Sequence, residues 1–244
     1  YNALHAENGK DCKGGDAVIT TLLWDVDGTL LDFDAAERAA IRALFREYGL
    51  GPCSDELLMR YSRINKAYWE RLERKELTKP EILVGRFRDF FASAGIDPAL
   101  AAEFNEIYQT CLGDTIVFRD DSFQIVASLR GRVRQYAVSN GTVIAQEKKL
   151  RLSGLGALMD GVFLSERLGV EKPDVSFFDQ VFAAIAPVDR ARTMIVGDSL
   201  TSDMQGGVNA GIVTCWYDPE GRPAPAGIPI SHRIADLHEI YALL

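Results

Sequence analysis

The sequence predicts an α/β chain, a doubly wound parallel sheet interrupted early by an all-helical insert. Three observations lead there. Short apolar strands alternate with helices from residue 121 onward, roughly 85 residues after the first strand read as helix only, and the strands end in polar side chains.

Residues 18 to 25, "VITTLLWD", are β-branched and apolar with little alternation, the pattern of a strand covered on both faces. A turn at Asp27, Gly28 and Thr29 closes it. Asp34 and Glu37 form a D-x-x-E pattern predicted to cap a helix, whose apolar positions Ile41, Leu44, Phe45 and Tyr48 recur at helical spacing up to Gly49. A second helix is expected after Ser54, with Leu57, Tyr61, Ile64, Tyr68 and Leu72 along one face. The third runs from Thr78, with Pro80 and Glu81 in its first turn, to Gly95, and the fourth opens at Asp97 and Pro98. Tyr68, Trp69 and Phe87 read as core of this helical insert.

After Asp121 the pattern changes: a helix ("DSFQIVASLRG"), the strand "VRQYAVSN", a helix, the strand "GVFLS", the helix "VSFFDQVFAAI", the strand "TMIVGD", a helix after Asp203, the strand "IVTCW" and a closing helix ending "LHEIYALL". The expected organisation is a polar arm at 1–16, an α/β core from 17–31 and 120–244, and a helical cap at 32–119.

Composition bounds the function. Twenty-seven Lys and Arg against 35 Asp and Glu give a net charge of −8, which argues against a nucleic acid polymer or an anionic membrane as partner. Cys12, Cys53, Cys111 and Cys215 are scattered without a C-x-x-C pair, and the histidines, among them His5, show no zinc pattern. No apolar run is long enough to span a bilayer, and the first residues lack a signal-peptide stretch. A reduced, cytoplasmic protein is the expectation. No motif bears on oligomeric state.

In open parallel sheets, ligands sit beyond the carboxyl ends of the strands. Four polar groups follow strands here: Asp25 and Asp27; Ser139 with Asn140 and Gly141; Lys172; and Asp198 with Asp203. Each alone has a plain structural explanation as a turn former, helix cap or solvated charge. Together, the ordered motifs D-x-D-G-T, S-N-G, E-K-P and G-D-x-x-x-x-D resemble those of the haloacid dehalogenase-like hydrolase superfamily.

That resemblance spans residue 20 to the C-terminus and accounts for the insert, since many members carry a cap between the first two motifs. It implies Mg²⁺ on Asp25, the Asp27 carbonyl and Asp198, because converging carboxylates beside a phosphate need a compensating cation. It implies Asp25 as nucleophile and Asp27 as proton donor and acceptor. Lys172, Ser139, the Asn140 amide and Thr29 are the implied phosphate-binding groups, Thr29 also anchoring the first loop. Asp203 would stand behind them, orienting Lys172 or a water on the metal.

An acid at position 27 marks the phosphate-transferring branches rather than those that displace halide. The stretches "YSRINKAYWERLERKELTKPEILVGRF" and "GDSLTSDMQGGVNAGIVTCWYDPEG" look like the pyrimidine 5'-nucleotidase branch. That branch implies a nucleoside monophosphate such as UMP, dUMP, dTMP or a modified analogue as substrate, with Arg63, Asn65 and Lys66 as candidates for reading the leaving group. Phosphatases of sugar phosphates or phosphoglycolate, and hexose-phosphate mutases, share the same core residues. A phospho-accepting signalling module fits poorly, because its nucleophile would lie on a later strand and the insert would have no role.

Overall fold

The computed structural model describes residues 18–223 and 226–244. The arm expected at 1–16, with His5 and Cys12, lies outside them. Six parallel strands form one sheet: β1 (Thr21–Trp24), β2 (Arg134–Ser139), β3 (Gly161–Leu164), β4 (Thr193–Gly197), β5 (Val213–Tyr217) and β6 (His232–Ile234), in the order β3-β2-β1-β4-β5-β6. The order reverses between β1 and β4, which opens a crevice beyond their carboxyl ends. Central β1 is buried at every position, which explains its unbroken apolar run. Trp24 buries its indole and donates from Nε1 to Gln135 Oε1 at 3.1 Å, so the polar atom of the largest side chain in the strand has a partner.

Helices α1 (Phe33–Glu47), α2 (Asp55–Glu73), α3 (Lys79–Ala94) and α4 (Ala101–Cys111) follow β1. They enclose an aromatic cluster of Phe45, Tyr61, Phe87, Phe90, Phe91, Phe104 and Tyr108, separate from the two clusters that flank the sheet. Tyr61 stacks on Phe87 with centroids 4.9 Å apart, a contact worth about 0.5–1.5 kcal/mol beyond its buried area. The chain enters and leaves this unit through adjacent segments: Asp32 N–H donates to Val117 O and Arg119 N–H to Leu30 O. The sheet is covered by α5 (Ser122–Leu129), α6 (Val143–Ser153), α7 (Ser165–Leu168), α8 (Val175–Ile185) and α9 (Gln205–Ala210). No helix among the described residues is long and apolar enough to cross a membrane.

Several local expectations are corrected. Asp32, not Asp34, caps α1, accepting from Ala35 N–H, and Glu37 turns inward instead of back to the cap. On α2, Tyr61 and Leu72 are buried and Leu57 and Ile64 half-buried, as expected, but Leu58 and Asn65 are buried as well, the latter an amide that periodicity did not place inside. Strand β6 has only three residues, "HRI", too short and polar to show alternation. The turn before α9 already begins at Leu200, capped by Ser199, so Asp203 lies inside it. The closing helix is a 3₁₀ turn, Leu237–Ala242.

Candidate active site at the carboxyl ends of the strands

Asp25 directly follows β1 and Asp198 directly follows β4, so the sheet register sets these carboxylates side by side at the crevice. Asp203, from the turn before α9, joins them. Carboxylate oxygens of all three lie within 4.8 Å of one another. Two glycines permit this approach. Gly28 has φ +92°, and a Cβ there would stand 2.8 Å from Asp198 Oδ2; at Gly197 a Cβ would stand 2.3 Å from Asp203 Cγ.

Lys172 reaches this cluster from the segment after α7. Its ammonium is fully buried and donates to Asp203 Oδ1 at 2.6 Å, Asp25 Oδ1 at 2.9 Å and Val138 O at 2.9 Å. Burial alone would favour the neutral amine, yet the charges of Asp203 and Asp25 outweigh it and hold Lys172 above the ordinary lysine range. The acids move the other way. Burial, then the charge of Asp203, pushes Asp25 well above the usual carboxylate range despite Lys172. The same two causes push Asp198 up to about 7, against the pull of Arg222 and Lys172. Three acids around one ammonium leave excess negative charge in a buried place, and all donors are hard oxygens. This donor set fits a divalent cation such as Mg²⁺.

Asn140 and Ser139 shape the neighbouring wall. The Asn140 side chain donates from Nδ2 to Lys172 O and accepts from Lys172 N–H, both at 2.9 Å, clamping the segment that carries the lysine. Ser139 Oγ accepts from Gly141 N–H at 3.0 Å. Thr29 departs from expectation. It is buried outside the cavity lining, donating to Asp25 Oδ2 at 3.1 Å and accepting from Asp198 N–H at 3.1 Å, so it holds two carboxylates in place rather than facing a phosphate.

A cavity of about 500 Å³ lies between these groups and the helical unit. Asp25, Asp27, Ser139, Asn140, Asp198 and Asp203 line its floor; Phe33, Glu37, Asn65, Lys66, Trp69 and Arg86 are among the lining residues from the helices. Arg63 is absent from the lining: it is exposed and donates back to Met59 O. Asn65 does line the cavity, but Glu37 Oε2 accepts from its Nδ2 at 2.8 Å and Arg86 Nη1 donates to its Oδ1 at 2.7 Å. Both ends of the amide have protein partners. Lys66 is exposed at the rim. Trp69, expected in the core, instead offers an aromatic wall, whereas Phe87 is buried core and Tyr68 bonds Asp89.

Sequence reasoning missed Glu37, Arg86, Gln146 and Lys149. Glu37 is pushed up to about 7, chiefly by burial, with Ser62 and Asn65 hydrogen bonds opposing. Arg86 is 1% exposed and bonds Asn65 and Asn105, and Asn105 continues through Gln109 to Thr142 at the start of α6. Gln146 and Lys149, both on α6, bond the side chain of Asp27. Gln146 and Lys149 belong to no pattern named above, Glu37 was read only as part of a helix cap, and Arg86 lies in the quoted insert stretch without a role; a polar residue on an otherwise buried helical face was the available signal.

Comparison with known proteins agrees with this geometry. A family model described as haloacid dehalogenase-like hydrolase matches residues 19–211. The chain is 35% identical to the HAD-hydrolase YfnB of Bacillus subtilis over 92% of this chain and 94% of that protein. The crystal structure of YfnB bound to magnesium superposes with a TM-score of 0.87 at 34% identity, covering 93% of this chain and 99% of that one. Identity is 39% to the pyrimidine 5'-nucleotidase PynA of Streptococcus pneumoniae, over 81% of this chain and 83% of PynA. It is 27% to the pyrimidine 5'-nucleotidase YjjG of Escherichia coli, over 91% and 96%. Motif order, strand order and these matches converge: the chain belongs to the haloacid dehalogenase-like hydrolase family.

Proposed function

We propose that this protein is a Mg²⁺-dependent phosphatase of pyrimidine nucleoside 5'-monophosphates, acting through an aspartyl-phosphate. The observation that carries the chemistry is the convergence of Asp25, Asp198 and Asp203 on Lys172 beneath a covered cavity. Asp25, the Asp27 carbonyl and Asp198 would hold the cation, whose charge offsets that of the phosphate beside these acids. Asp25 attacks phosphorus in line while Asp27 delivers a proton to the leaving oxygen. Water then attacks the aspartyl-phosphate, gives its proton to Asp27, and frees Asp25 and inorganic phosphate. Lys172, oriented by Asp203, supplies positive charge beside Asp25, and Ser139 with the Asn140 amide supplies hydrogen bonds to the phosphoryl oxygens. Asn140's side chain also fixes the Lys172 segment, and Thr29 orients Asp25.

The substrate class rests on similarity to PynA and YjjG and on the cavity wall. The floor recognises phosphate only, so residues 32–119 act as a cap that selects the leaving group. Trp69 and Phe33 offer faces for a planar base, and Lys66 a cation at the rim. Phosphate release with Mg²⁺ over UMP, dUMP, dTMP, CMP, sugar phosphates and phosphoglycolate tests the reading. Pyrimidine nucleotides are expected to give the highest kcat/KM, and a clear preference for a sugar phosphate would overturn the substrate class while leaving the chemistry intact.

A further inference from the structure

Asp27 is held from the neighbouring helix α6. Gln146 Nε2 donates to one of its oxygens and Lys149 Nζ to the other. Neither partner is one that packing alone would select. Lys149 is 1% exposed, Asp27 is its carboxylate partner among the described residues, and the Phe33 ring lies 5.1 Å from its ammonium. A buried lysine of this kind gives no more stability than an apolar side chain of similar volume. Gln146 is equally buried, and by turning its NH₂ group to Asp27 it leaves its own Oε1 without a partner among the described residues. An unpaired buried acceptor is costly. Two helix positions therefore carry unfavourable groups, and the two groups share one target. Gln146 lies three residues after Val143, the first residue of α6, and Lys149 three residues further on, so the two share one face of the helix.

We propose that Lys149 and Gln146 are positioning residues for the Asp27 carboxyl group, which carries the proton of the reaction. This rests on the role given to Asp27 above. In the first step the Asp25 oxygen–phosphorus bond forms, the phosphorus–leaving oxygen bond breaks, and the proton passes from Asp27 to the leaving oxygen. In the second, water's oxygen bonds to phosphorus, the bond to Asp25 breaks, and the water proton returns to Asp27. Lys149 and Gln146 keep their own protons throughout and fix where the Asp27 carboxylate stands when water arrives.

The two steps separate with p-nitrophenyl phosphate, whose leaving group departs without a proton, whereas a nucleotide needs Asp27 in both. In Lys149→Met, aspartyl-phosphate formation from p-nitrophenyl phosphate stays within roughly twofold of the wild type, while its hydrolysis slows about tenfold or more. Rapid mixing then shows a burst of p-nitrophenolate larger than that of the wild type, and intact mass detects accumulated phosphoenzyme. With UMP, kcat falls without a matching rise in KM, and Lys149→Arg recovers most of it. Gln146→Leu, which keeps the charge pair, shows the same split at smaller amplitude and gives the reading even if Lys149→Met folds poorly. Wild-type rates in both variants, or equal slowing on both substrates without phosphoenzyme, overturn the proposal. Asp27→Asn, measured in parallel, separates the two levels. If it retains wild-type turnover of UMP, the role of Asp27 fails; if it is inactive while Lys149→Met and Gln146→Leu behave as wild type, only the positioning role fails.

Discussion

The floor and the roof of the cavity are both polar and both buried, yet their charges are arranged in opposite ways. On the floor, Asp25, Asp198 and Asp203 crowd around one lysine, and Asp25 and Asp198 are pushed upward by burial and then by the charge of Asp203. In the roof, Glu37, Asn65, Arg86, Asn105 and Gln109 pass hydrogen bonds from one to the next and end on Thr142 in the α/β part. The floor sets three acids around one ammonium, the imbalance on which the proposed cation site rests. The roof is complete in itself, and its polar groups organise four helices before they meet any ligand. Buried charge without its counterpart points to chemistry; buried charge with its partners points first to architecture.

Removing the proposed nucleophile tests that contrast most severely. Asp25→Asn keeps the size of the side chain and should lower phosphate release by about 10⁴-fold or more, with the fold unchanged by circular dichroism. Near-normal turnover would show that the floor's charge is structural.

Cation binding should follow from the same imbalance. Chelation should abolish activity and Mg²⁺ restore it, and at about a hundredfold excess over Kd the ion should stabilise the wild type by roughly 3 kcal/mol. In Asp198→Asn the Mg²⁺-dependent rise in Tm should largely vanish; an undiminished rise would place the ion elsewhere.

Arg86 tests the roof. Arg86→Met removes one hydrogen-bond donor to each of Asn65 Oδ1 and Asn105 Oδ1 and the guanidinium over the Phe87 and Tyr108 rings. We expect a loss of about 2–4 kcal/mol in urea unfolding, with turnover of a small phosphate ester changed by less than roughly threefold. A catalytic defect without loss of stability would contradict the division between roof and floor.

The smallest effect is the most pH-sensitive. Glu37 keeps its proton up to about pH 7 in the folded chain but only to its ordinary 4.5 when unfolded, so ionisation between these values weakens the fold. Glu37→Gln removes that cost. Its stability relative to the wild type should rise from pH 5 to pH 7.5, by at most about 3 kcal/mol, and converge with it toward pH 4.5. A difference independent of pH would mean that Glu37 is compensated by Arg86 more fully than its burial suggests.

The sequence by itself determined the alternation of strands and helices, the helical excursion after β1 and the identity of the floor residues. Those follow from local causes: an apolar strand buried on both faces, a cap or turn residue at its end, and a polar group at the place where a parallel sheet opens its crevice. The inward turn of Glu37, the buried amide of Asn65, the burial of Thr29 away from the cavity and the grip of α6 on Asp27 were decided only by the tertiary structure. In each of these a polar side chain meets a partner from another element, such as Arg86 on α3 for Asn65 on α2, or Asp198 after β4 for Thr29 after β1. Helical periodicity records which face of a helix is buried, but not which polar groups meet there, because that depends on how helices separated in sequence are set against one another.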